Sequence, residues 1–227
     1  MYNPSSRTTL LKILYVSSAL GFLYLYPGVE ELEITNMLFH MLAEHFIFAS
    51  SGFIILSLYE DFMRSPLSSQ FKELRRIYTR LLMLNRRVNR HGVAGFVLAG
   101  FILAYWHVPD ILVSSTLDPL LHEVMHVSFA ALGGFVYMSV KQVSRVRLAV
   151  LLIGFGKVML WSGLYFSMAG DYIYRLYPLW QHHLMGSVML SLVPFMDFGA
   201  VAYLLHSIFK QEEYKERISA REVGGRR

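Results

Sequence analysis

Six stretches of this chain are apolar for long enough to cross a bilayer, and no other feature narrows its fold so far. A spanning helix needs about 20 mostly apolar residues. The windows that qualify lie near residues 11–26, 35–58, 92–106, 120–140, 148–168 and 179–206. In hydrocarbon every backbone polar group must be satisfied internally, which restricts spanning segments to helices and closed barrels. The expected fold is therefore all-α: a polytopic membrane helical bundle of six transmembrane helices, forming a single membrane domain over residues 1–227. Composition agrees, since 55% of the residues are apolar and 16% charged, against about a quarter charged in soluble domains. Arg7 and Lys12 precede or open the first window, and no small-x-small cleavage pattern follows it. That window reads as an uncleaved span.

Charge placement orients the bundle. All but Lys157 and Arg175 of the 21 Lys and Arg lie at the N-terminal end, in the second and fourth loops, or in the tail at 207–227. The first, third and fifth loops carry Glu30, Glu31, Glu33, Asp110, Asp118 and Asp171 instead. The positive-inside rule then puts both termini and the basic 62–90 loop in the cytoplasm of a multi-pass cell-membrane protein. Within that loop Phe71, Leu74, Ile77, Leu81, Leu84 and Val88 recur at helical spacing among Lys72, Arg75, Arg76, Arg80, Arg86 and Arg87. This pattern predicts a basic amphipathic interfacial helix between spans two and three, with the lipid bilayer as its partner. The net charge of +5 is not read as a nucleic-acid signal, because that needs a basic face on a water-soluble body.

With this orientation seven of the nine histidines fall in the extracytoplasmic half: His40, His45, His107, His122, His126, His182 and His183. They come from four spans. Ionisable side chains inside a bilayer are costly and face the bundle interior, where they pair or bind, so a metal site facing the extracytoplasmic side is expected. There is no cysteine, so any metal must be held by His, Met, Asp or Glu. His122 and His126 are four apart and share a helix face. Met37, Met41, Met125, Met185 and Met189 lie at similar depth, and imidazole with thioether is a set that suits copper. Glu44, four residues from His40, and Glu123 are expected to orient ring nitrogens. His40 and His45 are five apart, so an α-helix turns them to different faces. Lys157 and Asp197 sit at matching depth in spans five and six and predict a buried ion pair.

His122-Glu123-Val124-Met125-His126 fits the H-E-x-x-H zinc-protease pattern. Asp197, the nearest candidate for a third ligand, belongs at the opposite depth, which weighs against that reading. No phosphate loop, serine elbow or carboxylate pair marks an enzyme, and none is expected.

Trp106-His107-Val108-Pro109, then Pro119-Leu120-Leu121-His122-Glu123-Val124-Met125-His126, then an apolar helix with Gly133-Gly134 resemble the CtaG-like family of membrane proteins and its uncharacterised archaeal relatives. His40-Met41-Leu42-Ala43-Glu44-His45 resembles that family's earlier His-Met-x-x-His helix. Gln181-His182-His183-Leu184-Met185-Gly186-Ser187-Val188-Met189 resembles its later polar-Gly-x-x-Met element, with His where the family carries an acidic residue. The resemblance implies assembly of a caa3-type cytochrome c oxidase, copper handling outside the membrane, and oxidase subunits of a respiratory chain as partners. Copper would be bound by His107, His122, His126 and one or both of His182 and His183, with His40 or His45 completing the site. The alternative is a b-type haem protein with two of these histidines as axial ligands.

Overall fold

The computed structural model describes residues 4–26 and 28–224, with side chains described over 8–26, 28–66 and 68–210. Every regular element among them is helical: α1 (Pro4–Leu25), α2 (Val29–Thr35), α3 (Met37–Leu42), a π-helical turn (Ala43–Phe48), α4 (Ala49–Arg64), a 3-10 turn (Pro66–Gln70), α5 (Lys72–Val88), α6 (Ala94–Trp106), α7 (Pro109–Leu117), α8 (Pro119–Val140), α9 (Arg145–Ser167) and α10 (Leu179–Gly224). Five helical stretches are long and apolar enough to cross a membrane: Thr8–Leu25, Met37–Arg64, Pro119–Val140, Arg145–Ser167 and Leu179–Lys210. The third window differs from expectation. Its helix ends at Trp106, turns through 75° and resumes as α7 across residues that read from sequence as a loop, a bent pair of the kind that makes either one broken span or a re-entrant loop. Pro109 is the cause: it starts a helix readily and drives the preceding Val108 into extended backbone (φ −63°, ψ 125°), which interrupts the ladder.

The chain packs as two compact units. One comprises the chain to Val143 with Ala169–His182; the other comprises Ser144–Met168 and the chain from His183. In the first unit α4 lies along α8 with backbones in near contact. A Cβ on Gly52 would overlap the carbonyl of Ala130, and one on Gly133 would overlap that of Ala49. Close approach of this kind is how spanning helices gain packing energy where lipid offers no hydrophobic driving force. Lys12 Nζ reaches Asp61 Oδ2 and Ser57 Oγ, each at 2.7 Å, and ties α1 to α4. The buried Glu60 carboxylate accepts from the Tyr137 hydroxyl and pairs with Lys141 and Arg64.

The amphipathic helix forms as α5. Tyr59 donates to the Leu74 carbonyl at 3.0 Å and Asn85 to that of Met138 at 3.3 Å. Leu74, Ile77, Leu81, Leu84 and Val88, with Phe71 at its cap, stay exposed, as a surface available to lipid requires.

In the second unit α9 starts at Ser144, whose hydroxyl accepts from the Arg147 amide at 3.4 Å, and it runs beside the part of α10 that begins at His183. Lys157 Nζ lies 2.6 Å from Asp197 Oδ2. The pair forms but is not buried as expected, since its side chains are 49% and 33% exposed.

Candidate metal centre

The centre begins with a turn between spans. Asn36 ends α2 and caps α3, its side chain accepting from the Phe39 amide at 3.0 Å. Gln181 then clamps the junction from both sides: its Oε1 accepts from the Met37 amide at 2.7 Å and its Nε2 donates to the Thr35 carbonyl at 2.9 Å. Held this way, α2 turns Val29 and Glu33, four residues apart, inward and leaves Glu30 and Glu31 exposed. Glu33 is 3% exposed.

Helix α8 supplies the facing groups. Asp118 caps it, accepting from the amides of Leu120 at 2.9 Å and Leu121 at 3.0 Å, and Pro119 opens its first turn. His122 and His126 then project from one buried face. His122 Nε2 is 2.9 Å and His126 Nε2 3.6 Å from Glu33 Oε2, and one potential ligand atom from each of the three residues lies within 4.8 Å of the others. Metal–nitrogen and metal–oxygen bonds of about 2.0–2.2 Å in a tetrahedron separate neighbouring ligand atoms by roughly 3.4 Å. The observed distances bracket that value.

Two further observations fit a cation here. Glu33 Oε1 and both ring nitrogens of His126 are buried without a hydrogen-bond partner, and such groups are costly unless something satisfies them. Burial pushes the Glu33 carboxyl up, but the His122 hydrogen bond, His126 and the charge of both rings outweigh it and hold it down at about 2. An ionised carboxylate beside two imidazoles is a set for a divalent first-row ion. Around it, Tyr177 donates its hydroxyl to the Glu33 carbonyl at 2.9 Å. Burial, then the charges of Glu44 and Glu33, push the Tyr177 hydroxyl up and keep it a donor.

The other expected residues divide. His40 joins the centre's edge: its Nδ1 lies 3.3 Å from the Glu33 carbonyl, its Nε2 2.8 Å from Glu44 Oε1, and its ring meets that of His122 at 5.9 Å. His45 and His107 form a separate group, their rings stacked at 4.9 Å, with His107 Nε2 3.3 Å from Met41 Sδ. The π-helical turn explains why His45 is inside despite its five-residue spacing from His40. Its i→i+5 bonding inserts an extra residue per turn, which turns both Glu44 and His45 inward. His182 has its ring nitrogens engaged by backbone, Nε2 accepting from the Tyr174 amide at 3.0 Å and Nδ1 3.2 Å from the Pro178 carbonyl, so it offers no open donor to a metal. His183 belongs to the second unit and is exposed. Glu123 is exposed too, accepting from Tyr24 at 3.0 Å. The H-E-x-x-H histidines thus meet Glu33 instead of Asp197, and the intervening Glu faces away from them.

From sequence alone Glu33 reads only as a topology marker. The one available signal was its four-residue spacing from Val29, and the exposed Leu32 beside it obscures that periodicity.

These features define an all-helical membrane protein with a buried Glu/His group able to hold a metal. No family model, curated protein or solved structure matches the chain.

Proposed function

We propose that this is an integral membrane metal-binding protein in which Glu33, His122 and His126 hold a divalent transition-metal ion near the extracytoplasmic surface, with both termini cytoplasmic. The observation that carries the reading is the convergence of these three side chains with buried polar atoms left unpartnered. Copper is the favoured ion, because Cu(II) heads the affinity order for nitrogen and oxygen ligands and because the resemblance to CtaG-like proteins points the same way. The role that follows from the resemblance is maturation of a respiratory oxidase. Orientation rests on the Lys and Arg distribution. Nothing in the geometry favours haem. The rings of His45 and His107 stack at 4.9 Å and 16°, which leaves no gap for a porphyrin between them.

Metal and pigment analysis of detergent-purified protein tests this. Wild type reconstituted with Cu(II) is expected to retain one equivalent at the centre, colourless in the Soret region, and His122→Ala to lose it. A Soret band abolished by the same variant would replace the ion with haem. Wild type that takes up no divalent metal would end the reading.

A further inference from the structure

A helix that only rests on lipid needs one apolar face, whereas α5 and the residue after it carry three faces of different chemistry. At about 3.6 residues per turn, Tyr78, Leu82, Asn85 and Asn89 fall within one sector of roughly 60°. These are the positions withdrawn from the surface: Tyr78 and Asn89 are buried, Leu82 and Asn85 half-buried. The sector docks on the bundle. The Tyr78 ring meets that of Tyr59 edge-on at 5.3 Å, and Asn85 donates to the Met138 carbonyl at 3.3 Å and Asn89 to the Ser139 hydroxyl at 2.8 Å. Tyr59 lies near the end of the stretch that closes at Arg64, and Met138 and Ser139 near the end of the one that closes at Val140. The helix is therefore fixed level with the ends of two spans, where a bilayer has its headgroups.

Leu74, Ile77, Leu81, Leu84 and Val88 occupy an adjoining sector of roughly 80°, and all five are exposed. The remaining sector, roughly 140° wide, holds Lys72, Arg75, Arg76, Arg80, Arg86 and Arg87, interrupted only by Thr79 and Met83. Glu73 is the one acidic residue of α5 and pairs with Arg76 at 2.5 Å. Arg80 and Arg87 share one line of the helix and border the apolar sector. Among the described residues no carboxylate pairs with either. A long side chain at such a border lays its stem along the apolar surface and carries its charge to the headgroups.

We propose that α5 is a binding site for anionic phospholipid, in which Arg80 and Arg87 grip the headgroup phosphate while Leu81 and Leu84 lie against the acyl chains. Charge complementarity selects this occupant. A zwitterionic headgroup brings its own cation to the phosphate, whereas an anionic one leaves the phosphate oxygens to the guanidinium donors. Because Tyr78, Asn85 and Asn89 hold the helix to α4 and α8, the lipid is gripped by the bundle itself and not by a free arm. No residue of the Glu33 centre lies on α5, so this inference goes beyond the proposed metal binding and stands without it.

Full-length protein in phosphatidylcholine vesicles with trace spin-labelled lipid provides the test, since electron paramagnetic resonance separates lipid held at the protein from lipid in the bulk. Wild type should hold spin-labelled phosphatidylglycerol over spin-labelled phosphatidylcholine by about threefold or more at low salt, and the preference should fall towards unity at about 1 M salt. Arg80→Gln with Arg87→Gln should remove at least about half of the preference, both being exposed side chains whose loss leaves the docking sector intact. Arg80→Lys with Arg87→Lys keeps both charges and should retain most of it. Equal retention of the two lipids by wild type overturns the proposal, as does a preference that survives the glutamine pair. A preference abolished by inorganic phosphate at constant ionic strength would make a water-soluble anion the occupant and overturn it too. So would a dimer in detergent that Leu81→Asn splits, which would put a second copy of the chain on the apolar sector.

Discussion

Two groups of charged or polar side chains, one in each unit, are built on opposite principles. In the second unit Lys157 and Asp197 meet directly at 2.6 Å. Each charge has its counter-charge, and although Asp197 Oδ1 is buried without a hydrogen-bond partner, direct pairing offsets the cost that either charge would carry alone. In the first unit Glu33, His122 and His126 are all buried, yet two histidines share one carboxylate and several of their atoms have no partner. An ion pair closes on itself and ties helices together. A convergent, under-satisfied donor set is complete only with a ligand. Ionisable side chains in one membrane protein therefore need not share a role.

The strongest way to break this contrast is to remove the frame that holds the first group. Gly133→Val drives a side chain into the Ala49 carbonyl and should destabilise the α4–α8 seam by about 3 kcal/mol or more, read as loss of monodisperse protein in detergent with bound metal gone. Next in size, Glu33→Gln keeps the shape and removes the charge. Divalent affinity should fall by about a hundredfold with folded yield retained. Lys157→Ala sharpens the contrast from the other side: it should cost about 1 kcal/mol of thermal stability, a modest figure because the pair is partly exposed, and leave metal affinity untouched. Asp197→Ala added to it should recover most of that loss, measured as a double-mutant cycle.

The smallest expected effect is a pH dependence. A carboxyl held at about 2, against about 4.3 in an unfolded chain, binds fewer protons when folded. Its contribution to stability is complete above that unfolded value and lost as pH falls through about 2. Metal-free wild type should show this acid limb in melts between about pH 5 and 2, and Glu33→Gln should flatten it.

Much of the frame is legible in the residues. Long apolar windows, the Asp118-Pro119 cap and the amphipathic spacing of α5 are local signals, and each has its counterpart in the structure. The pairing of His122 with His126 is also local, being set by one helical turn. What escapes is non-local or depends on small departures from the ideal helix. Whether Glu33 turns inward is decided by Gln181, 148 positions along, clamping both sides of Asn36. His45 is brought inside by a π turn that no motif announces, and Trp106-His107-Val108-Pro109 reads as the end of a span although the helix turns there and resumes as α7. His182 looks like a ligand by composition and spends its nitrogens on the backbone of the Tyr174–Pro178 loop.

If Glu33, His122 and His126 act together on one ion, electron paramagnetic resonance of Cu(II)-loaded protein reads that directly. Wild type should give a single mononuclear signal with hyperfine splitting from two imidazole nitrogens, reduced to one in His126→Ala and displaced in Glu33→Gln. A signal indifferent to both substitutions, or no bound Cu(II) in folded wild type, would contradict it.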